Sequence, residues 1–423
     1  MNIMLIIPVL VAVVGAYLCF KVGFFFLNPK RMLRDIAALL SRRGAVKNLS
    51  LALAGTLGVG NIVGVAVGIR IGGAGSVFWL MLSAIPAAAI KYAESSLALD
   101  SCGRGVIDSS KRAFPRIGRV LSPLYAVFVL ALALAMGAGL QSASFASTFS
   151  ALLPVSELTL GVALMLLALP FVLFGVSRVK DATALFVSAA SLVYIALAGA
   201  VIFISRENVP SAVRAVFEGA FRNDAALGGF LGALSSRALK EGFLRGILSN
   251  EAGLGTSSLA HSEDSEYTPH EAGVVGVLEV FADTLVLCPL TALMLLAAGD
   301  TGEESAVGYV LSAVRVGGAV AEYLFAAALF FFAFSTVICW GTYGRTACLA
   351  FAPRLEWLFR AAFLAAVAVG AVLGAEALVG AVDVIMLPLA VISLLTVIKG
   401  SDRAAALSEC GKHIKEDVFS REP

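Results

Sequence analysis

The feature that most constrains this 423-residue chain is a succession of long apolar runs with hardly a charge inside them. A spanning helix needs about 20 mostly apolar residues. Eleven stretches qualify: 3–27, 50–69, 75–99, 120–150, 157–175, 181–204, 227–249 continuing to 260, 272–298, 306–350, 357–374 and 377–398. The stretch 306–350 is too long for one simple span, which predicts a short amphipathic piece ahead of the helix proper. None alternates as the strands of a membrane barrel must. Apolar residues make up 59% of the chain and charged residues 14%, against about 25% charged in soluble proteins. No water-soluble core could hide that excess. A soluble enzyme, a secreted disulfide scaffold and a disordered chain are excluded, and a net charge of +2 leaves no basic face for nucleic acid. The reading is an all-α polytopic membrane protein.

Cys19, Cys102, Cys288, Cys339, Cys348 and Cys410 form no CxxC or other metal spacing and read as small buried hydrophobes. The N-terminal apolar run begins at once and is followed by basic residues, the reverse of a cleaved leader, so 3–27 reads as a retained helix. Lysine and arginine set the orientation. Lys30, Arg31, Arg34, Arg42, Arg43 and Lys47 follow the first run; Arg104, Lys111, Arg112, Arg116 and Arg119 follow the third; Arg178 and Lys180 follow the fifth. Lys399, Arg403, Lys412, Lys415 and Arg421 lie in the tail, while the alternate loops are poor in both. The N-terminus is expected outside and the C-terminus in the cytoplasm, in a cell membrane. The loop 261–271 is acidic on the expected inner side, but acidic residues count little in this rule.

Two glycine clusters interrupt apolar helices. The first reads Ala54-Gly55-Thr56-Leu57-Gly58-Val59-Gly60-Asn61; the second, almost 200 residues later, reads Arg245-Gly246-Ile247-Leu248-Ser249-Asn250-Glu251-Ala252-Gly253-Leu254-Gly255. Each glycine costs a helix about 1 kcal/mol against alanine, yet lets the backbone unwind and turn its amides and carbonyls off the axis. The second break lies five helices after the first, an odd number, so the two broken helices cross in opposite directions. Paired breaks in oppositely oriented halves are a sequence pointer to a secondary transporter, with ions and substrate bound between them. Close helix packing is the competing explanation.

Charges inside apolar runs are expensive and usually functional or paired. Lys91 and Glu94 are three apart and can pair on one helix face. Glu279 and Asp283 are four apart, and two like charges so close invite one to hold a proton, which makes them possible coupling carboxylates. Glu251 is placed at the start of a half-helix, where the dipole favours it. Asp383 is isolated in the last span. Gln141 is a lone amide on a small-residue face and needs a partner, either ligand or neighbouring helix. Thr336 and Trp340 lie four apart, on one helix face.

At these residues the chain resembles the alanine or glycine:cation symporter family of amino-acid carriers. The resemblance is carried by AGTLGVGNIVGVAVGIRIGGAGSVFWLMLSAI (54–85) running on to KYAESSLA (91–98), by RGILSNEAGLGTSSLAHS (245–262) followed by FADTLVLCPLTAL (281–293), and by FFAFSTVICWGTYG (331–344). It implies a LeuT-type fold of five helices plus five inverted helices, preceded by one extra helix. Residues 1–48 would hold the extra helix and a basic loop, 49–205 the first repeat, 206–398 the inverted second, and 399–423 a cytoplasmic tail. It also implies uptake of a small neutral amino acid driven by sodium, with sodium as co-substrate and no other cofactor; no obligate protein partner is evident.

Carried over residue by residue, the resemblance assigns the substrate carboxylate to the backbone of Gly58, Val59, Gly60 and Asn61. Gln141 and Asn250 would join them, with Thr336 and Trp340 walling the side-chain end. The carbonyls of Ala54 and Leu57 with the hydroxyls of Ser335 and Thr336 would hold sodium; the alternative for those hydroxyls is back-bonding to the preceding turn. The chain departs from the family at 101–120, which lacks a Gly-Gly-Pro-Met-Tyr-Tyr-like motif. Ala138 and Ala143 stand near Gln141 in place of asparagines, and Phe78-Trp79-Leu80-Met81 lacks a second tryptophan. These departures suggest a larger or less polar substrate than alanine or glycine. Proton coupling, and a ligand-binding sensor that keeps the fold without transporting, are the competing functions. A membrane enzyme finds no support: there is no HExxH, GxSxG or CxxC, and His261, His270 and His413 lie in a loop and the tail.

Overall fold

The computed structural model describes residues 5–41, 58–101, 103–174, 176–221, 237–256, 258–259, 267–299 and 302–413. Every regular element among them is helical. In chain order these are α1 (Ile6–Val22), α2 (Pro29–Leu40), α3 (Val63–Gly72), α4 (Ser76–Asp100), α5 (Val106–Ala113), α6 (Gly118–Ser150), α7 (Glu157–Phe174), α8 (Val176–Ile204) and α9 (Val209–Ala220). They continue as α10 (Arg237–Asn250), α11 (Pro269–Ala298), α12 (Ala306–Arg315), α13 (Ala319–Phe351), α14 (Glu356–Gly370), α15 (Ala375–Lys399) and α16 (Ser401–His413).

Seven segments among the described residues are long and apolar enough to cross a bilayer: α4, α6, α7, Leu185–Ile204 of α8, α11, α13 and α15. The other four apolar runs form shorter helices. Two of them border the glycine clusters: α3 starts just after the first, and α10 ends at Asn250 in the second; Gly23 at φ +69° stops α1. The overlong run 306–350 divides as expected, with Gly318 at φ +81° between α12 and α13.

Local chemistry sets these boundaries. Asn28 caps α2 by accepting the Arg31 N–H. Thr268 and Glu271 form a reciprocal capping box ahead of Pro269, the first residue of α11. Gly15 of α1 sits against Pro86 of α4, where any Cβ would collide with the proline. That close approach fixes the first helix on the rest of the bundle. Two helices carry π-helical turns, Ala133–Leu140 in α6 and Phe281–Leu287 in α11. Such turns cluster at functional sites because they rotate the following side chains out of α register. Here they precede Gln141 and contain Asp283.

Candidate functional site

At the first break Gly58 is extended (φ −140°, ψ −163°), Val59–Asn61 form one 3-10 turn, and α3 begins at Val63. The unwound turn frees the Val59 N–H, which donates to Gln141 Oε1 at 3.3 Å, while Gln141 Nε2 donates to the Met136 carbonyl in the π turn of α6. A Cβ at Gly58 would lie 2.8 Å from Thr336 Oγ1 and 3.5 Å from Gln141 Oε1. Glycine is required there for space, since φ −140° suits any residue. Thr336 and Trp340 face α6 together. Trp340 lies over Gly137, one turn before Gln141, and a Cβ on that glycine would strike the indole.

The structure thus brings Gly58, Val59, Gln141, Thr336 and Trp340 into one buried cluster. Thr336 Oγ1, Asn61 Nδ2 and Trp340 Nε1 are buried there without a hydrogen-bond partner. An unsatisfied buried polar atom costs about 1–3 kcal/mol, which makes this cluster a candidate for a bound polar group. Ser335 donates to the Phe332 carbonyl at 3.0 Å, the back-bonding alternative. Its proton is spent on its own helix and its lone pairs remain available. Ala54 and Leu57 lie outside the described residues.

The two breaks touch. Ser249, in the last turn of α10, has its hydroxyl 3.1 Å from Asn61 Oδ1 and 2.8 Å from Asp283 Oδ1, and 3.1 Å from the Cys288 sulfur. A hydroxyl carries one proton and serves one acceptor at a time, so these oxygens converge with fewer hydrogens than they could accept. Hard oxygens in such a group suit a small cation or a proton. Sequence reasoning missed Ser249, although it adjoins Asn250 in the second motif; the contact is made across 188 residues and has no local signature.

At the second break α10 ends at Asn250, Glu251 takes a left-handed φ of 58°, and Gly253 and Gly255 follow at +87° and +72°. Asn250 spends its side chain on the protein: Nδ2 donates to Thr284 Oγ1 at 2.9 Å, and Oδ1 accepts from the Ala252 N–H at 2.9 Å. Glu251 follows the end of a helix, where the sequence reading had it opening one, and accepts from Thr256. The loop is anchored by Tyr125, which donates to the Leu254 carbonyl, and by Glu94, which accepts from the Gly253 N–H and from Ser393. A hollow of about 290 Å³ between the ends of α4, α5 and α15 reaches Glu94 from the side of the basic loops.

Two charge pairings differ from the sequence reading. Lys91 pairs with Glu279 at 3.2 Å, not with Glu94. Its side chain leaves α4 toward α11 and α10, and a neighbour three residues along the same helix does not share that direction. Asp383 is not isolated: it pairs with Arg245 of α10, which also meets Glu241 at 3.3 Å. Glu279 and Asp283, expected as two neighbouring carboxylates, have their charges divided. Glu279 has the lysine, whereas Asp283 is held by the hydroxyls of Ser249 and Thr284.

Comparison with known proteins bears on the family and the fold. The sodium/alanine symporter AgcS of Methanococcus maripaludis is 32% identical over 317 residues, covering 70% of this chain and 68% of that protein. The sodium/proton-dependent alanine carrier protein of Bacillus sp. (strain PS3) is 31% identical, covering 68% of this chain and 69% of that protein. Among solved structures, MhsT in complex with L-phenylalanine matches with a TM-score of 0.59 at 13% identity, over 88% of this chain and 98% of that one. The fold is therefore the LeuT type. The profile of the sodium:alanine symporter family matches residues 1–410. With that match the chain belongs to the sodium:alanine symporter family, and it is a multi-pass membrane transporter.

Proposed function

We propose that this transporter takes up a small neutral amino acid against its gradient, driven by sodium, by alternating access across the cell membrane. One observation carries the reading. The unwound turn at Gly58–Asn61 meets side chains of α6 and α13 in a buried cluster in which Thr336 Oγ1, Asn61 Nδ2 and Trp340 Nε1 lack partners. The carboxylate would rest on the turn at Gly58, Val59, Gly60 and Asn61, with Gln141 beside it; Thr336 and Trp340 would bound the side chain. Asn250 would act through the shape of the second break. Both AgcS and the Bacillus carrier are named for alanine, while Ala138 and Ala143 favour a less polar or larger guest.

Sodium would be held by the carbonyls of Ala54 and Leu57 with Ser335 and Thr336. The Asn61, Ser249 and Asp283 oxygens offer a second group that bridges the breaks. Coupling follows from linkage: an ion that binds one conformation better shifts the equilibrium toward it and tightens substrate binding there, and reciprocally. In this reading residues 49–205 and 206–398 are inverted five-helix halves behind the extra helix of 1–48. The N-terminus lies outside, and the tail 399–423 lies in the cytoplasm.

Proton coupling is the second reading, and Asp283 favours it: a buried carboxylate held by two hydroxyls, with the Lys91 ammonium paired to Glu279 instead. The deciding experiment is uptake of a labelled amino-acid panel into proteoliposomes. Accumulation that requires an inward sodium gradient supports the symporter. Accumulation with a proton gradient alone moves the coupling site to Asp283. Binding without accumulation under either gradient rejects transport.

A further inference from the structure

Among the described residues the second break presents a carbonyl-rich helix end, and a buried charged side chain reaches it. Helix α10 ends at Asn250 with its C-terminal carbonyls unwound, the negative end of the helix dipole. Lys91 Nζ reaches that end and donates to the Asn250 carbonyl at 2.6 Å, with Glu279 at 3.2 Å as counter-charge. The lysine is wholly buried. Gly276 of α11 leaves room for its stem, since a Cβ there would lie 3.1 Å from Lys91 Cγ. Among the described residues Arg245 is the other lysine or arginine that is buried, and it is engaged by Asp383 and Glu241. Among the described residues no buried basic side chain pairs with the unpartnered atoms of the first break.

We infer that Lys91 is a tethered cation: its ammonium does at the second break what a free cation does elsewhere in the site, neutralising the Asn250 carbonyl and the Glu279 carboxylate. It is a positioning residue, and the inference rests on the sodium-coupled reading above. A free ion bound there would enter the stoichiometry and leave with each cycle. A lysine stays, so the second break remains charged and folded while the first exchanges its guests. The geometry links the two, because Asn250 adjoins Ser249, whose hydroxyl reaches Asn61 and Asp283.

Shortening the side chain opens a site for a soluble cation in the same place. In proteoliposomes, Lys91→Ala is expected to need about tenfold more sodium for half-maximal uptake, with a steeper sodium response, within the range that couplings between linked sites span. Millimolar methylammonium, but not methanol, should restore the wild-type sodium curve. A wild-type curve in Lys91→Ala, or a defect that neither methylammonium nor added sodium relieves, overturns the inference. Should Lys91→Ala fail to fold, the Lys91→Met, Glu279→Gln double variant removes both charges without leaving one buried alone. In it the sodium curve is expected to shift by the same sign, and a wild-type curve again overturns the inference. Wild-type protein without sodium-dependent uptake would sink the underlying reading, a result visible before any variant is made.

Discussion

The two breaks share a sequence signal, glycines beside an asparagine, and end in opposite chemical conditions. At the second, the chain meets most of its own polar groups: Lys91 and Thr284 serve Asn250, Glu94 accepts from the Gly253 amide, and Tyr125 donates to the Leu254 carbonyl, while Glu251 Oε1 is left without a partner. At the first, Thr336, Asn61 and Trp340 keep buried polar atoms without partners. Unwound backbone in a membrane must be satisfied by something. In the reading proposed above, the more fully bonded break serves as a base and the other receives the guest.

That contrast is open to direct attack. The largest effect is expected at Gly58. Valine there would drive its side chain into Thr336 and Gln141, so Gly58→Val should abolish substrate binding and uptake while the protein still inserts and purifies as a single species; retained binding would remove the first break from the site. Gln141→Ala comes next. It removes the amide that holds the Val59 N–H; with that amide meeting the substrate as proposed, one hydrogen bond of about 1–3 kcal/mol lost to the guest corresponds to roughly 5- to 150-fold weaker binding, read by isothermal titration. The Ser335→Ala, Thr336→Ala double variant should raise the half-saturating sodium concentration by about tenfold, since linked ion and substrate sites couple over that range; an unchanged sodium curve would exclude these hydroxyls from the cation site. The smallest functional effect belongs to the satisfied break. Asn250→Ala loses two hydrogen bonds within the protein and should lower the melting temperature, costing about 1–3 kcal/mol of stability, while substrate affinity in the surviving folded protein changes less than in Gln141→Ala. The reverse order of these two affinities would erase the distinction between the breaks.

Much of this architecture was legible in the residues. Helical runs, the split of 306–350 and both interruptions follow from apolar length and glycine placement, which act within a turn or two of the chain. The grouping of Gln141 with Thr336 and Trp340 came through the resemblance, because 195 residues separate Gln141 from Thr336 and no periodicity spans them. Ser249 was invisible for the same reason. The charges were misread where helical spacing was allowed to choose partners. Lys91 and Glu94 are three apart on α4, yet one turns to α10 and α11 and the other to Ser393 and the 253–255 loop.

By itself, then, the sequence determined that this chain is a helical membrane protein interrupted at two matched places. Hydropathy and backbone entropy are local quantities and can be read locally. The partners of the buried polar groups at each break came only with the packed helices. A buried donor finds its acceptor through the packing of whole helices, and a side chain's direction off a helix is set by the neighbours it meets.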